Sequence, residues 1–297
     1  MISVVIPLYN KARCIGSTIQ CVLHQTYTDF ELIIVNDGST DDGVAVVSAV
    51  NDNRIRLINK TNGGVSSARN EGIRQSNGAY IAFLDADDYW EPTYLEELQR
   101  LIDTCPDAGI FGIALGLISQ GKKNYDSSEF PSDFCGYVEH PWQLRSGCWT
   151  GSSTTINRDA FDKVGMFDVR MAYGEDLDMW WRVVLEYRGA FLNKPLAYYE
   201  QDAENRAMNK AMPFEKHLPF YIEKYVDYRA ADKEFRFFFD RECLYRLFQY
   251  TGMKKYRKDL RRVLRQIDFS LQKRSMRFRF IFPRLYRVYL KKKGRQC

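Results

Sequence analysis

No stretch of the chain approaches the roughly 18 consecutive apolar residues that a membrane-spanning helix requires, so the sequence predicts none. Histidine is scarce: only His24, His140 and His217 occur. None stands in a Ser/His/Asp or Cys/His arrangement, and each reads as a surface or packing residue, which sets triad-type nucleophilic chemistry aside. The seven cysteines are odd in number and contain no C-x-x-C pair. That pattern fits reduced, packed thiols in a cytosolic protein better than a disulfide framework. The N-terminal Met1-Ile2-Ser3-Val4-Val5-Ile6-Pro7 lacks the basic flank and the length of a signal peptide and reads as a first strand. Acids are nearly missing from the end of the chain. Residues 254–297 carry 17 Lys+Arg against 2 Asp+Glu, a net of +15, which leaves 26 against 36 elsewhere, a net of −10. A whole-chain value of +5 conceals an acidic body with a basic tail, and such a tail predicts an anionic partner, membrane surface or nucleic acid.

What the chain does contain is ample apolar material: 45% hydrophobic and 14% aromatic residues over 297 positions, enough for a folded α/β unit with an appendage. Residues 3–7, 31–35, 55–59 and 80–84 are near-continuous in Val, Ile and Leu, as strands buried on both faces should be. Between the first two, Ile15, Ile19, Val22 and Leu23 recur at helical spacing. Residues 42–50 and 66–76 supply two more helices. The order βαβαβαβ predicts a mainly parallel, doubly wound sheet.

In such sheets ligands bind outside the carboxyl ends of the strands. Four successive strand ends carry polar, Gly-containing or aromatic residues: Pro7-Leu8-Tyr9-Asn10, Asn36-Asp37-Gly38-Ser39-Thr40-Asp41, Asn62-Gly63-Gly64 and Asp85-Ala86-Asp87-Asp88. The last is a carboxylate cluster where a buried strand surfaces. It fits either a solvated turn capping the helix that starts near Pro92, or a hard cation, Mg²⁺ or Mn²⁺, beside a phosphate-bearing ligand. Four such ends on one rim favour a binding crevice over ordinary turns.

These motifs, with Ala68-Arg69-Asn70-Glu71-Gly72, Val164-Gly165-Met166-Phe167-Asp168 and Gly174-Glu175-Asp176 further on, stand in an order that resembles the family 2 glycosyltransferases of GT-A fold. The resemblance covers roughly residues 1–205. It implies an inverting, metal-dependent transfer of a sugar from a nucleotide-diphosphate donor, in the first instance a UDP-sugar, to a hydroxyl of a glycan or lipid-linked acceptor in cell-surface polysaccharide or glycolipid assembly. By it, Pro7, Tyr9, Asp37, Asn62, Arg69 and Asp85 are expected to bind the nucleotide, with Tyr9 against the base, Asp37 accepting from it, Arg69 near base or diphosphate and Asp85 on the ribose. Asp87 is expected to ligate Mn²⁺ or Mg²⁺. Asp176 is the expected general base, with Glu175 beside it, although acids at a helix start also complement its dipole without any catalysis.

Many members of that family carry a histidine after the strand corresponding to residues 196–199, and here Glu200-Gln201-Asp202-Ala203-Glu204-Asn205-Arg206 follows instead. Asp202 is an alternative oxygen ligand, Arg206 an alternative clamp on the phosphates, and a mobile lid a third reading. Residues 119–151 match no pattern; Trp149, near Gly147, Gly151 and Ser152, is read as a surface platform for the acceptor, with core packing as the bland reading.

The expected organisation is a GT-A domain over 1–212, with a donor half of about 1–105 and an acceptor half of about 106–212, followed by a helical, basic C-terminal extension over 213–297. In the extension, Leu260, Val263, Leu264, Ile267 and Leu271 form an apolar stripe backed by Arg257, Lys258, Arg261, Arg262 and Arg265, the pattern of a helix lying on an anionic bilayer. Packing on the catalytic domain or on a second subunit, as a homodimer, is the competing account, and nucleic acid is set aside. The expected location is therefore cytoplasmic, peripheral to the inner face of the cytoplasmic membrane. Lacking both transmembrane helices and a Gln-x-x-Arg-Trp run, the chain does not read as a processive synthase; Pro7-Leu8-Tyr9-Asn10-Lys11 is not the Gly-rich loop of a nucleotidyltransferase. A sugar-nucleotide-binding regulator without turnover is the alternative function.

Overall fold

The computed structural model describes residues 1–125, 129–143, 148–202, 213–283 and 286. The chain divides into two compact units, Met1–Ala211 and Met212–Cys297.

In the first unit, strands β1 (Ile2–Leu8), β2 (Phe30–Asp37), β3 (Ile55–Lys60) and β4 (Tyr80–Phe83) alternate with helices α1 (Ile15–Leu23), α2 (Gly43–Ser48) and α3 (Val65–Gln75). Then come β5 (Tyr89–Trp90), α4 (Tyr94–Thr104), β6 (Ala108–Ser119), β7 (Lys122–Asn124), β8 (Cys135–Tyr137), β9 (Thr154–Asn157), α5 (Ala160–Val164), α6 (Glu175–Glu186) and β10 (Arg188–Glu200). The strands join in one sheet of order β3-β2-β1-β4-β9-β6-β10-β5, with β7 added to β6 and β8 to β10. The pairs β1–β2, β1–β4, β2–β3 and β6–β10 are parallel, whereas β9 runs antiparallel between β4 and β6. The mainly parallel, doubly wound architecture predicted for residues 1–100 is present.

Because successive residues of a strand point to opposite faces, one core cannot take them all. Val4, Ile6, Leu32 and Ile34 pack with Ile15, Ile19 and Val22 of α1 and Leu95, Leu98 and Leu101 of α4. Val5, Ile33 and Val35 pack on the other face with Ala68 and Ile73 of α3 and Met179 and Trp180 of α6. Full burial on both faces is why these strands read as unbroken apolar runs. Their carboxyl ends share one rim, as parallel pairing requires.

The second unit has its own core. Helices α7 (Val226–Ala231), α8 (Lys233–Leu247), α9 (Arg257–Leu264) and α10 (Arg274–Ile281) surround Phe214, Leu218, Ile222, Phe235, Phe239 and Leu247, all fully buried. A buried ion pair, Arg229–Asp240 at 2.7 Å, is completed by the Asp268 N–H donating to the same carboxylate at 3.0 Å. The stripe predicted as one membrane-facing helix is corrected here. It breaks after Leu264, and a 3-10 turn over Phe269–Leu271 follows, with Asp268 accepting from the Ser270 N–H. Val263 and Ile267 are buried, whereas Leu271 is exposed. Leu260 and Leu264 are half-buried, so the stripe enters the unit's own core through Val263 and Ile267. Among the described residues no helix is long and apolar enough to cross a membrane, and six cysteines are free thiols.

Gly72 shows how tightly α3 seats on β1: a Cβ there would fall 2.3 Å from Val5 Cγ1, on a fully buried side chain. Alanine is favoured over glycine inside a helix by about 1 kcal/mol, but overpacking of a close-packed core costs about 1–3 kcal/mol. At 2.3 Å packing wins. Gly72→Ala is expected to lose about 1–2 kcal/mol net in urea unfolding; a gain would mean that α3 withdraws from the sheet without cost.

Candidate active site

The rim is built by loops that hold one another. After β1, Asn10 adopts φ +52°, donates its N–H to Ser39 Oγ at 3.1 Å and accepts from the Thr40 N–H at 2.8 Å. The Ala12 N–H donates to Asp41 at 2.8 Å. The β1–α1 and β2–α2 loops are thereby locked together. They present Tyr9, 46% exposed, as a free aromatic face beside the strand end. Pro7 lies within β1, opposite Val35.

Asp37 ends β2 and is buried. Its Oδ1 accepts from Lys60 Nζ at 2.6 Å and from the Gly63 N–H at 2.9 Å, and its Oδ2 from the Gly64 N–H at 2.8 Å. Gly64 is the residue before α3, and it brings no side chain of its own to cap that helix. A carboxylate from a neighbouring strand therefore does so, with the stabilisation expected of an anion at a helix N-terminus. A carboxylate has about four lone-pair sites, so one on Oδ2 is left for a ligand. Asn62 is exposed on the same loop.

Arg69 is buried, 3% exposed: its Nη2 donates to Asp85 Oδ1 at 2.8 Å and its Nη1 to Glu175 Oε1 at 3.1 Å. Burial works against the guanidinium charge, but Asp85, Glu175 and Asp176 outweigh it and hold the group more firmly cationic than usual. The bridge joins the acid at the end of β4 to the start of α6. Gly151 leaves room for it, since a Cβ there would sit 3.0 Å from Asp85 Oδ2 and 3.4 Å from Arg69 Nη2. On the next residue of α3, Asn70 exchanges two 2.9 Å hydrogen bonds with the backbone of Phe167, which fixes the Gly165–Asp168 turn against the same helix.

The acids after β4 have separate surroundings. Asp85 keeps a third of its side chain exposed, while Asp87 is at 13% and ion-pairs with Lys11 Nζ at 2.5 Å. Burial, with Asp85 nearby, raises the Asp87 pKa against the lowering effect of Lys11. Asp88 is buried, accepts from Ser152 Oγ and from the Glu200 N–H, and is pushed well above the usual carboxylate range by burial and by Asp85. It ties the loop to β10 and faces inward. Asp202 accepts from the Gln120 N–H at the β6–β7 turn; residues 203–206, including Arg206, lie outside the described residues.

Glu175 and Asp176 open α6 after Gly174, which takes φ +81°. Burial above all, then Asp176, push the Glu175 pKa up to about 7 in spite of Arg69. Asp176 is less buried, and its Oδ1 accepts from the Leu177 N–H at 2.8 Å. One oxygen is thus held by the helix while the other is not.

Trp149 is a correction. The indole is 8% exposed and packs in the core against β6 and β10, where a Cβ on Gly189 would lie 2.3 Å from its ring. Ser152 is buried as well. The glycines and serines around Trp149 make room for close packing, which the sequence reading took for a surface loop. Conversely, Lys11 and Ser152 went unrecognised; the signal for Lys11 was a cation four residues past Pro7 on a rim otherwise rich in acids.

Glu175 yields a pH test. Its folded pKa of about 7 lies above the ordinary 4.5, so between these values the folded protein holds a proton that the unfolded chain has released. Its contribution to stability therefore falls as pH rises through that window, by on the order of 3 kcal/mol in all. Relative to wild type, Glu175→Gln is expected to gain stability steadily from pH 4.5 to 7 and to level off above; parallel curves in denaturant titrations would refute this.

The model of the family described as Glycosyl transferase family 2 matches residues 3–165. An uncharacterized glycosyltransferase of Rickettsia bellii is 46% identical over 189 residues, covering 62% of this chain and 27% of that protein. The uncharacterized glycosyltransferase YibD of Escherichia coli is 42% identical over 102 residues, 34% and 30% of the two chains. One from Nostoc sp. is 30% identical over 234 residues, 71% and 67%. This chain thus spans under a third of the length of the first two. Among solved structures, S. aureus TarS 1–349 in complex with UDP-GlcNAc superposes with a TM-score of 0.68 over 91% of this chain and 82% of that one at 18% identity, a likeness of fold. The chain belongs to glycosyl transferase family 2 and has its GT-A fold.

Proposed function

We propose that the chain transfers a sugar from a nucleotide-diphosphate donor to a hydroxyl of a glycan or lipid-linked acceptor, with inversion, in the assembly of a cell-surface polysaccharide or glycolipid. The observation that carries this reading is the Arg69 bridge, which gathers Asp85 from the nucleotide rim and Glu175-Asp176 from α6 into one connected group. A donor-side acid and an acceptor-side acid held by one cation suit a single displacement. UDP is the first choice of carrier, since TarS, which shares the fold, was crystallised with UDP and with UDP-GlcNAc.

In this reading Tyr9 stacks on the base, the remaining Oδ2 lone pair of Asp37 accepts from it, Asn62 borders it and Asp85 accepts from the ribose hydroxyls. Asp176 takes the proton of the acceptor hydroxyl with the oxygen that Leu177 does not occupy. The acceptor oxygen then forms a bond to the anomeric carbon from the face opposite the nucleotide, and the bond to the diphosphate oxygen breaks with its electron pair. Glu175, held by Arg69, positions the start of α6.

A divalent ion fits this rim in one manner only. Among the described residues no three His, Cys, Asp or Glu side chains form a cage, so an ion here is of the kind held by one or two carboxylates and the substrate's phosphates, Mn²⁺ or Mg²⁺. Asp87 would hold it, and the ion would stabilise the negative charge that develops on the departing diphosphate.

For the second unit we propose contact with an anionic membrane, now assigned to Leu271, Phe278, Ile281 and Phe282, which are 41–65% exposed, with Lys273 and Arg274 exposed nearby. Apolar side chains interspersed with cations suit the interface of an acidic bilayer, where a lipid-linked acceptor would reside. Ile281→Glu with Phe282→Glu is expected to reduce flotation with phosphatidylglycerol vesicles severalfold while leaving the thermal transition in place; unchanged flotation would remove the membrane assignment.

UDP with Mn²⁺ is expected to raise the thermal transition, a ligand at 100 times its Kd adding about 2.7 kcal/mol. Asp87→Ala should abolish the metal-dependent part. Asp176→Asn should keep the UDP response and lose roughly 10²–10⁴-fold in turnover. Retained turnover in Asp176→Asn would overturn its assignment as base, and UDP binding with no product from any sugar nucleotide would favour a regulator without turnover.

A further inference from the structure

We propose that Lys60 reads the nucleotide base: its ammonium donates to a ring carbonyl while Asp37 beside it accepts from the adjoining ring N–H, so that the two side chains together select an imide edge, that of uracil or thymine. The inference rests on the reading of the rim as a nucleotide-sugar site and supplies that reading with a residue that chooses the carrier.

Strand register sets the arrangement. Leu8 of β1 stands opposite Asn36 of β2, and Asp37 opposite Lys60 of β3. Tyr9, the residue after β1, is therefore level with Asp37 and Lys60, and the three form a row across neighbouring strand ends ~4.8 Å apart. An aromatic face at one end of the row and two polar groups at the other suit a flat heterocycle with a hydrogen-bonding edge. Lys60 and Asp37 are bonded so that each has one group left to offer. Lys60 Nζ donates to Asp37 Oδ1 at 2.6 Å and to the Thr61 carbonyl at 2.7 Å. An ammonium carries three N–H donors, and among the described residues the third has no partner. Asp37, holding Lys60 and the Gly63 and Gly64 N–H groups, keeps one acceptor position on Oδ2.

The loop seats the ammonium as well, since a Cβ on Gly63 would fall 3.1 Å from Nζ. With side chains 21% and 4% exposed, the pair is sheltered, and a ligand there meets little competition from water. One donor fixed beside one acceptor sorts bases by their edges. Uracil and thymine carry N3–H between two carbonyls, so the N–H meets Asp37 and a carbonyl meets Lys60. Cytosine turns a bare ring nitrogen toward the carboxylate and an amine toward the ammonium, two mismatches, and adenine does the same. Guanine has an N–H beside a carbonyl, but its 2-amine adds a second donor to that edge. The acceptor positions of Asp37 that would receive the amine are already taken by Lys60, Gly63 and Gly64. A wrong base therefore leaves sheltered polar groups unpaired, which is what makes discrimination by hydrogen bonding large.

The test is isothermal titration of the full chain, at fixed Mn²⁺, with UDP, 2-thio-UDP and 4-thio-UDP, sulfur being a much poorer acceptor than oxygen. In wild type one of the two thio analogues is expected to bind about tenfold or more weakly than UDP, the scale of a lost hydrogen bond to a charged group. Lys60→Met should weaken UDP itself and bring the ratio between UDP and that analogue to within about threefold. Lys60→Gln, which keeps an N–H donor, should restore part of the ratio. CDP is expected to bind wild type about 100-fold or more weakly than UDP. A merely structural role, in which Lys60 only closes the loop over Asp37, would weaken all three uridine nucleotides alike and leave the ratio unchanged in Lys60→Met; that result overturns the assignment. So does a wild type that binds UDP and both thio analogues equally, a comparison that requires no variant to fold. If wild type binds no uridine nucleotide, the reading of the rim fails first and the proposal falls with it.

Discussion

One guanidinium organises the first unit's site. Arg69 lies in helix α3 with almost no exposed surface and binds carboxylates from two separate parts of the chain, Asp85 after β4 and Glu175 at the start of α6, at 2.8 and 3.1 Å. A charge buried in this way is tolerable only with partners, and removing one member of such a group typically costs about 3–5 kcal/mol because the others are left uncompensated. The network adds little to net stability over an apolar core of the same shape. It supplies register: the residues at the end of β4 cannot shift relative to the acids of α6 without exposing an unpaired charge to a low-dielectric interior.

That constraint orders the rest of the rim. Helix α3 meets β1 at Gly72 without room for a methyl group, is capped by Asp37 from β2, and holds the Phe167 turn through Asn70. With the end of β4 and the start of α6 held by Arg69, five parts of the chain thus take their positions from one helix, and the polar residues that do so stand next to those assigned to ligand contact. Several side chains serve both purposes. Asp37 accepts from the Gly63 and Gly64 N–H groups at the start of α3 and from Lys60 and has one lone pair left, so whatever binds there meets an acceptor whose direction is already set. The same economy explains why the Asp85–Asp88 cluster does not behave as one group. Each carboxylate has a different partner: Arg69 for Asp85, Lys11 for Asp87 and Ser152 for Asp88.

How much of this was legible in the sequence follows from the range of the interactions involved. The strands β1 to β4 and helices α1 to α3 announce themselves because burial on two faces, or on one stripe, is a local pattern, and because their carboxyl ends must share a rim once the strands are parallel. Long-range partnerships leave no such trace. Nothing near Arg69 in the chain says that its charge is met by residues 16 and 106 positions away, so an arginine beside a nucleotide motif was read as a phosphate or base contact. Trp149 was misread for a related reason. Glycine and serine near an indole look like a loop, yet Gly189, far away in the sequence, is what lets the ring in. In the second unit the spacing of Leu260, Val263 and Ile267 was correctly seen as an apolar stripe, but a stripe does not say what covers it. There the unit's own core takes Val263 and Ile267, while Leu260 is half-buried.

The fixed charge of Arg69 bears on reactivity as well. An inverting displacement needs the base and the leaving group on opposite sides of one carbon, a geometry that tolerates little drift. Arginine suits the fixed part, because its planar fork makes two directional bonds at once and stays charged at any working pH. Glu175, whose pKa burial and Asp176 push up to about 7, adds less negative charge beside Asp176 below that pH than above it. The acid next to the proposed base is thus itself titrating near neutrality, and the field at Asp176 changes as it does.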